Sequence, residues 1–350
     1  MLYRLYKLRF LTPVRFGVEN RGAGLDQASL AGHADTLFSA FVSEAAAYGE
    51  KAAKQLIDAA QAGNMLLSDL FPYQGDRLYL PRPLLPPRFD MQNQEQTPAE
   101  IRQGASRRKL WKQQKYLAVS EFPAYLRWLE TGSVFDGQPA QFGAYVTADK
   151  VNRREKEDAL PYLVASYTFL SDMHEQPGSQ RSDENGQEEG SGLYFILGTT
   201  SSALTDRIDD LIASLGYSGI GGKRSSGYGK FELYEDPIDM DEQGVYEDDA
   251  ALYAMLTAAQ ADWQMTMSVL WPTEEEVPHL KDAYYQLIQR SGFVNSPSYA
   301  PQAMKRHGIH MINSGSCLRT RAAGQIGDLS AQGAHPVYRY GKPLYAGVNL

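Results

Sequence analysis

The residues best equipped for chemistry form one loop: Gly219-Ile220-Gly221-Gly222-Lys223-Arg224-Ser225-Ser226-Gly227-Tyr228-Gly229. Five of its eleven residues are glycine. Glycine tolerates positive φ and lets a ligand come close to the backbone. Successive exposed N–H groups can then form an anion-binding concavity. Lys223 and Arg224 add positive charge, and an arginine can hold a phosphate through two parallel hydrogen bonds. Ser225 and Ser226 supply hydroxyl donors, and Tyr228 offers a ring on which an unpaired base can stack. This set of parts suits a phosphate clamp for single-stranded RNA. A Walker-type loop fails, because Tyr217 stands where the first glycine belongs and Arg224 where Ser or Thr belongs. A dinucleotide fingerprint starting at Gly219 also fails at Arg224, and on context, since this loop follows a helical pattern and opens a strand. The generic alternative is a glycine-rich turn before an edge strand.

Other candidates are more scattered. Arg107, Arg108, Lys109 and Lys112 surround Trp111 and could line an RNA groove or simply form a solvated face. Arg153 and Arg154 adjoin Glu155 and Glu157, which compete for them. Arg15 and Arg21 lie in a glycine-rich loop after the first strand. His33 has the pKa range for general acid–base work. Asp35 could orient its ring or cap the following helix. His307 and His310 have three-residue spacing without nearby acids, a poor metal pattern. Cys317, the single cysteine, reads as a small buried apolar residue. Arg319 and Arg321 could reach RNA or a partner. Neither Gly-x-Ser-x-Gly nor His-Glu-x-x-His occurs, and no metal or cofactor is expected.

The elements that position these residues follow from periodicity. Residues 2–11 alternate as a strand, with Tyr6, Leu8 and Phe10 on one face and Leu5 and Lys7 on the other. Leu37, Phe38, Phe41, Ala45 and Tyr48 form one helical stripe, and alanine-rich sequence extends the helix to about Ala60. Pro72, Pro81, Pro83, Pro86, Pro87 and Pro98 predict an irregular insertion leading into the basic segment. A short helix is expected at 122–129. Tyr162–Leu170 and Leu193–Leu197 read as two strands of a hairpin whose long tip is the acidic stretch 172–190. Leu204, Ile208, Leu211, Ile212 and Leu215 mark a second helix, with Ser202 or Thr205 as a possible cap, and Tyr228–Tyr234 a closing strand. The order, with the insertion set aside, is βαββαβ, the ferredoxin-like arrangement. The fold class expected is therefore α+β. Residues 1–235 would form a ferredoxin-like domain with an insertion at about 72–150, and 236–249 an acidic linker. Residues 250–350 would form a smaller α+β domain of modified ferredoxin-like type, with strands at 251–258 and 263–271, a helix at 280–290 and a terminal hairpin at 335–343.

A net charge of −8 taken over the whole chain argues against nucleic acid, but the acids are concentrated. Residues 232–249 carry nine of them and no Lys or Arg, and residues 172–190 carry six against Arg181. Removing those two stretches leaves the rest of the chain at +6. Phosphate binding depends on potential within a Debye length of about 10 Å, not on the whole-chain sum. Hydrophobic residues make up 43% of the chain, enough for real cores. No apolar run approaches the roughly 18 residues of a membrane span, and the N-terminus lacks the apolar core of a signal peptide. A cytoplasmic protein is expected.

The segment Gly219–Phe231 resembles the signature loop of the RAMP superfamily of CRISPR proteins. Gly32-His33-Ala34-Asp35-Thr36-Leu37-Phe38-Ser39-Ala40 resembles the start of the first helix in one branch, the subunits that cap the crRNA 5′ handle in type III-A (Csm) effector complexes. Val151-Asn152-Arg153-Arg154, Tyr167-Thr168-Phe169 and Pro336–Pro343 are similar to the same branch, and 72–150 is the least matched region. The resemblance implies a non-catalytic RNA-binding subunit. Its partners would be crRNA and target RNA, the large polymerase/cyclase-like subunit and the RAMP backbone subunit. The insertion matches in position the protrusion with which RAMP subunits interrupt the guide–target duplex. Some RAMP relatives cut precursor RNA with a histidine near the first helix, so the alternative is a metal-independent endoribonuclease using His33.

Overall fold

The structure, a computed structural model, describes all residues except 19–23, 90–114, 136, 138, 152–160, 171–189, 295, 297, 301, 303 and 332. Its centre is an antiparallel sheet. Strand β1 (Leu2–Phe10) pairs with β8 (Ser191–Thr199) along one edge, and with β9 (Phe231–Leu233) and β10 (Ile238–Asp239) along the other. Beyond β8 come β2 (Met65–Leu67) and β3 (Phe71–Gln74), then β4 (Arg77–Pro81) and β5 (Tyr116–Ala118). Taking β2 and β3 together as the second strand, the order is fourth, first, third, second, with all neighbours antiparallel. That is the ferredoxin-like pattern in an α+β fold, extended by the β4–β5 edge.

Both faces of this sheet are covered, which explains why its central strands read as continuous apolar runs. In β8, Leu193, Phe195 and Leu197 face one core while Tyr194 and Ile196 face another. Helices α1 (Ala34–Ala47), α2 (Glu50–Gln61) and α4 (Ser202–Ser218) cover the first face through Leu37, Phe38, Phe41, Leu56, Ile208 and Leu215. Helices α3 (Phe122–Thr131) and α5 (Glu247–Thr257) cover the second, together with a small sheet. That sheet has the order β14 (Cys317–Leu318), β11 (Trp263–Thr266), β17 (Tyr345–Val348). Two ribbons complete the C-terminal part: β12 (Leu287–Arg290) with β13 (Ile309–Ile312), and β15 (Gln325–Asp328) with β16 (Tyr338–Gly341). Among the described residues no helix is long and apolar enough to cross a membrane.

Several expectations need correction. The second core strand is not 162–170. That segment, β7 (Pro161–Phe169), pairs with β6 (Gly143–Val151) in a separate two-stranded ribbon, while β2 and β3 take its place in the sheet. Prolines did not make 72–87 irregular throughout. Pro72 lies within β3, one residue before its ladder with β4 begins at Tyr73, and Pro81 is the last residue of β4. The single helix expected to Ala60 is broken at Tyr48–Gly49, where Gly49 has φ +121°. Residues 251–257 are helical in α5 rather than extended; Asp249, at the third helical position, accepts from the Val245 and Tyr246 amides in a capping box that fixes the helix start. The stretch 280–290 ends as β12, not a helix, and 338–341 pairs with upstream 325–328 instead of forming its own hairpin.

Candidate nucleic-acid interface

The glycine loop connects α4 to β9, as expected. Four of its five glycines have positive φ: Gly219, Gly221, Gly227 and Gly229. Lys223, with φ 63°, is the one non-glycine residue in that region among the described residues. Close approach as well as φ requires glycine at two of these positions. A Cβ at Gly229 would lie 2.0 Å from the Ile220 carbonyl oxygen, and one at Gly221 would lie 2.6 Å from that of Arg15. The loop closes on itself through the Ile220 amide to the Gly229 carbonyl at 2.9 Å. It is stitched to the segment after β1 by the Gly222 amide to the Arg15 carbonyl (2.8 Å) and the Gly229 amide to the Pro13 carbonyl (2.9 Å).

Between those anchors the chain makes one turn of 3-10 helix, Arg224–Ser226, closed by the Ser226 amide to the Lys223 carbonyl at 2.9 Å. The amides of Gly221, Lys223, Arg224 and Ser225 find no protein acceptor among the described residues. Three of them, at 223–225, are consecutive, and all four lie on a partly exposed turn that carries two cationic side chains, an arrangement able to hold an anion.

The β6–β7 ribbon stands beside this turn. Lys223 Nζ lies 4.9 Å from the centre of the Tyr162 ring and donates to its hydroxyl at 3.4 Å. Lys150 Nζ lies 5.8 Å from the Tyr228 ring. In sequence, Lys150 falls at the end of the insertion and Tyr162 at the start of the 162–170 strand, and neither carries a binding signal of its own. Exposed Tyr145, Val146, Val151 and Leu163 continue the same ribbon.

Arg15 is not a surface contact. It is buried beneath the loop, donating to the Gly24 carbonyl at 2.7 Å, and burial lowers its pKa. Arg107, Arg108, Lys109 and Lys112, together with Arg21, Arg153 and Arg154, lie outside the described residues.

His33 starts α1 without a side-chain cap of its own. Asp69 takes that role. One of its oxygens accepts from the Ala34 amide at 2.7 Å and from the Val269 amide at 3.3 Å, and the other from His33 Nδ1 at 2.7 Å. His33 thus borders a cleft of about 270 Å³ between the central sheet and the C-terminal part. Asp35 neither caps the helix nor orients His33. Fully buried, it accepts from Arg290 Nε at 3.0 Å and Nη2 at 2.7 Å, and from Arg339. Burial pushes its pKa up, but the charges of Arg290 and Arg339 outweigh that and hold it well below the carboxylate range.

Cys317 is buried, with its thiol pushed up to about 12 by desolvation, which suits a packing residue. Arg319 stacks 3.6 Å from the Trp263 ring centre, and Arg321 donates to Gln264 at 2.7 Å, so both are engaged within the C-terminal part.

A family model described as the CRISPR Csm4 C-terminal domain matches residues 259–348. A "CRISPR system Cms protein Csm4" of Mycobacterium tuberculosis (strain ATCC 25618 / H37Rv) is 30% identical over 325 residues, covering 92% of this chain and 91% of that one. The chain belongs to the Csm4 family. A Streptococcus thermophilus protein of the same description is 28% identical over 348 residues, 99% of this chain and 98% of that one. Two solved structures share the fold. The chain of a Csm3–Csm4 subcomplex of a type III-A CRISPR–Cas interference complex superposes with a TM-score of 0.62 at 15% identity, with both chains covered in full. The chain of a Csm1–Csm4 cassette bound to cA4 gives 0.57 at 21% identity, over 100% of this chain and 98% of that one.

Proposed function

We propose that this chain is the crRNA-binding structural subunit of a cytoplasmic type III-A CRISPR effector. It caps the 5′ handle of the guide and bridges the large subunit to the backbone subunits. The single observation that carries RNA binding is the 221–225 turn: four successive or near-successive amides without a protein acceptor among the described residues, flanked by Lys223 and Arg224. A relative was solved with Csm1 and another with Csm3, which supports the bridging role. The reading assigns RNA contact to Gly219, Gly221, Gly222, Lys223, Arg224, Ser225, Ser226, Gly227, Tyr228 and Gly229, with Arg15 supporting the loop from below. His33, Arg107, Arg108, Lys109, Lys112, Arg153 and Arg154 remain proposed contacts along the path of the strand.

The test is the Lys223→Ala/Arg224→Ala double variant, measured against guide RNA over a range of salt. Each phosphate contact on a single strand contributes about 0.7 to the slope of log K against log salt, so the slope should fall by about 1.4. Unchanged affinity and slope would overturn the loop's role. The same reading makes the chain non-catalytic. Labelled repeat RNA incubated with the pure protein in EDTA should stay intact, and cleavage that His33→Ala abolishes would favour the endoribonuclease alternative.

A further inference from the structure

The buried acid at the start of α1 leaves a charge balance open. Asp35 is 0% exposed and accepts from Arg290 Nε at 3.0 Å, from Arg290 Nη2 at 2.7 Å and from Arg339 Nη1. A third guanidinium, that of Arg306, lies within electrostatic reach of Asp35, Arg339 and Arg290. Among the described residues, Asp35 is the one carboxylate that acts on Arg306 and Arg339. Three cations thus share one buried anion, an excess of two positive charges. We infer that this cluster holds a small tetrahedral oxyanion, free phosphate in the cell, between Arg306 and Arg339, as a structural counter-ion that locks the C-terminal ribbons onto α1. The site is separate from the glycine loop, and the inference does not depend on the guide-binding reading.

Three observations carry it. The first is a set of unmet donors. Arg339 Nε, Arg339 Nη2 and Arg306 Nε are buried and find no partner among the described residues, and Arg339 is 1% exposed. A buried charged donor without an acceptor is costly, so such groups call for a partner. The second is like-charge crowding. Burial first, then the charge of Arg339, lowers the Arg306 pKa to about 10, and Arg290 adds to the effect. Asp35 cannot relieve it, because both its oxygens are taken by Arg290 and Arg339. Water can satisfy a donor but leaves the charge, whereas an anion answers both. The third is architecture. Arg290 ends β12, Arg306 lies in the connection from β12 to β13 with its amide on the Gly292 carbonyl at 3.1 Å, and Arg339 lies in β16. A guanidinium grips a tetrahedral oxyanion through parallel N–H bonds, so forks arriving from separate segments can share one. Asp35 lies in the first turn of α1, whose N-terminus adds partial positive charge. Arg290 and Arg306 are half-buried while Arg339 is enclosed, so a free ion can pass the rim and reach Arg339 where a polymer strand cannot.

The experiment uses the full-length protein freed of phosphate, with inorganic phosphate as the probe and chloride of equal ionic strength as the control. The wild-type melting temperature should rise saturably with phosphate. At one hundred times the dissociation constant the unfolding constant falls about a hundredfold, a rise of about 4 °C for a chain of this length. Phosphate also stabilises proteins by exclusion from their surface, but that effect does not saturate and is common to every variant. Arg306→Met keeps the apolar stem and removes the charge. In chloride it should melt at or above the wild type, since crowding is relieved, and in saturating phosphate below it, since the saturable rise is lost. Arg306→Lys keeps the charge without the fork and should need about tenfold more phosphate for half the rise. Lys223→Ala/Arg224→Ala should keep the full rise, and titration calorimetry on that variant should count one phosphate per chain. A wild type with no saturable rise would overturn the inference, as would a rise that Arg306→Met and Arg306→Lys both retain unaltered. A rise lost in Lys223→Ala/Arg224→Ala would place the ion on the glycine loop instead. A rise abolished by saturating guide RNA would make the ligand a strand phosphate and overturn the free-ion assignment.

Discussion

At the scale of single residues, Asp35 carries a buried ion-pair network that ties the start of α1 to the C-terminal part. It is 0% exposed, and two arginines from different C-terminal ribbons converge on it. Removing one partner of a buried pair costs far more than the pair contributes net, because the remaining charge is stranded in low dielectric. Asp35→Asn should therefore destabilise the protein by about 3–5 kcal/mol in urea denaturation. The pH dependence follows from the depressed pKa. An unfolded aspartate titrates near 3.9, and the folded one well below it. Its contribution is thus complete above about pH 4 and is lost as pH falls toward the folded value. The gap between wild type and Asp35→Asn should be flat from about pH 5 to 8 and shrink below about pH 4. A gap that widens on acidification would refute this account. In sequence, Asp35 reads as a partner of His33 or as a helix cap, both of them local roles. Its partners lie 255 and 304 residues away, and no local pattern signals them.

At the scale of elements, α4 and β9 fix the angle at which the glycine loop leaves the sheet. Gly216, in the last turn of α4, is where helix and strand touch. A Cβ there would lie 2.5 Å from the Phe231 carbonyl oxygen. Gly216→Ala therefore sets two effects against each other. Alanine gains about 1 kcal/mol of helix propensity over glycine. The clash is with backbone, which cannot swing aside, and forcing atoms into a packed contact costs about 1–3 kcal/mol. The clash should win, so the variant should melt lower and bind guide RNA more weakly through a displaced loop. A stabilised variant would mean that α4 can slide on the sheet. Elements with strong periodicity, β1, α1 and α4, were legible because burial on one or two faces imposes their pattern. The second core strand was not. It is split into β2 and β3 of three and four residues, too short for a period, and β3 carries a proline. The glycine loop was legible because positive φ and close backbone approach leave a compositional trace. Its neighbours Lys150 and Tyr162 were not, since a cross-ribbon contact has none.

At the scale of the whole molecule, the acidic segment 236–249 reads in sequence as a linker between two domains, and the hydrophobic cores run across it. Val269, Ile288, Met311 and Tyr340 belong to the same core as Phe38, Leu193 and Ile208. Met265, Cys317, Leu344 and Val348 belong to the same core as Leu5, Phe71 and Ile196. The segment itself is held at both ends: β10 pairs with β1, and Asp248 accepts from the Leu78 amide at 2.8 Å and the Ser120 amide at 3.1 Å. Asp69 bonded to Val269 and Asp35 bonded to Arg290 and Arg339 add polar ties at the same junction. Separating the parts would expose apolar surface on both faces of the sheet, at about 25 cal/mol per Å², and strand buried charge besides. The full chain should therefore unfold in one calorimetric transition, with van't Hoff and calorimetric enthalpies in agreement. A fragment of residues 1–258 should lack fixed near-ultraviolet dichroism and aggregate. Two resolved transitions, or a monomeric fragment with native dichroism, would show that the parts fold alone.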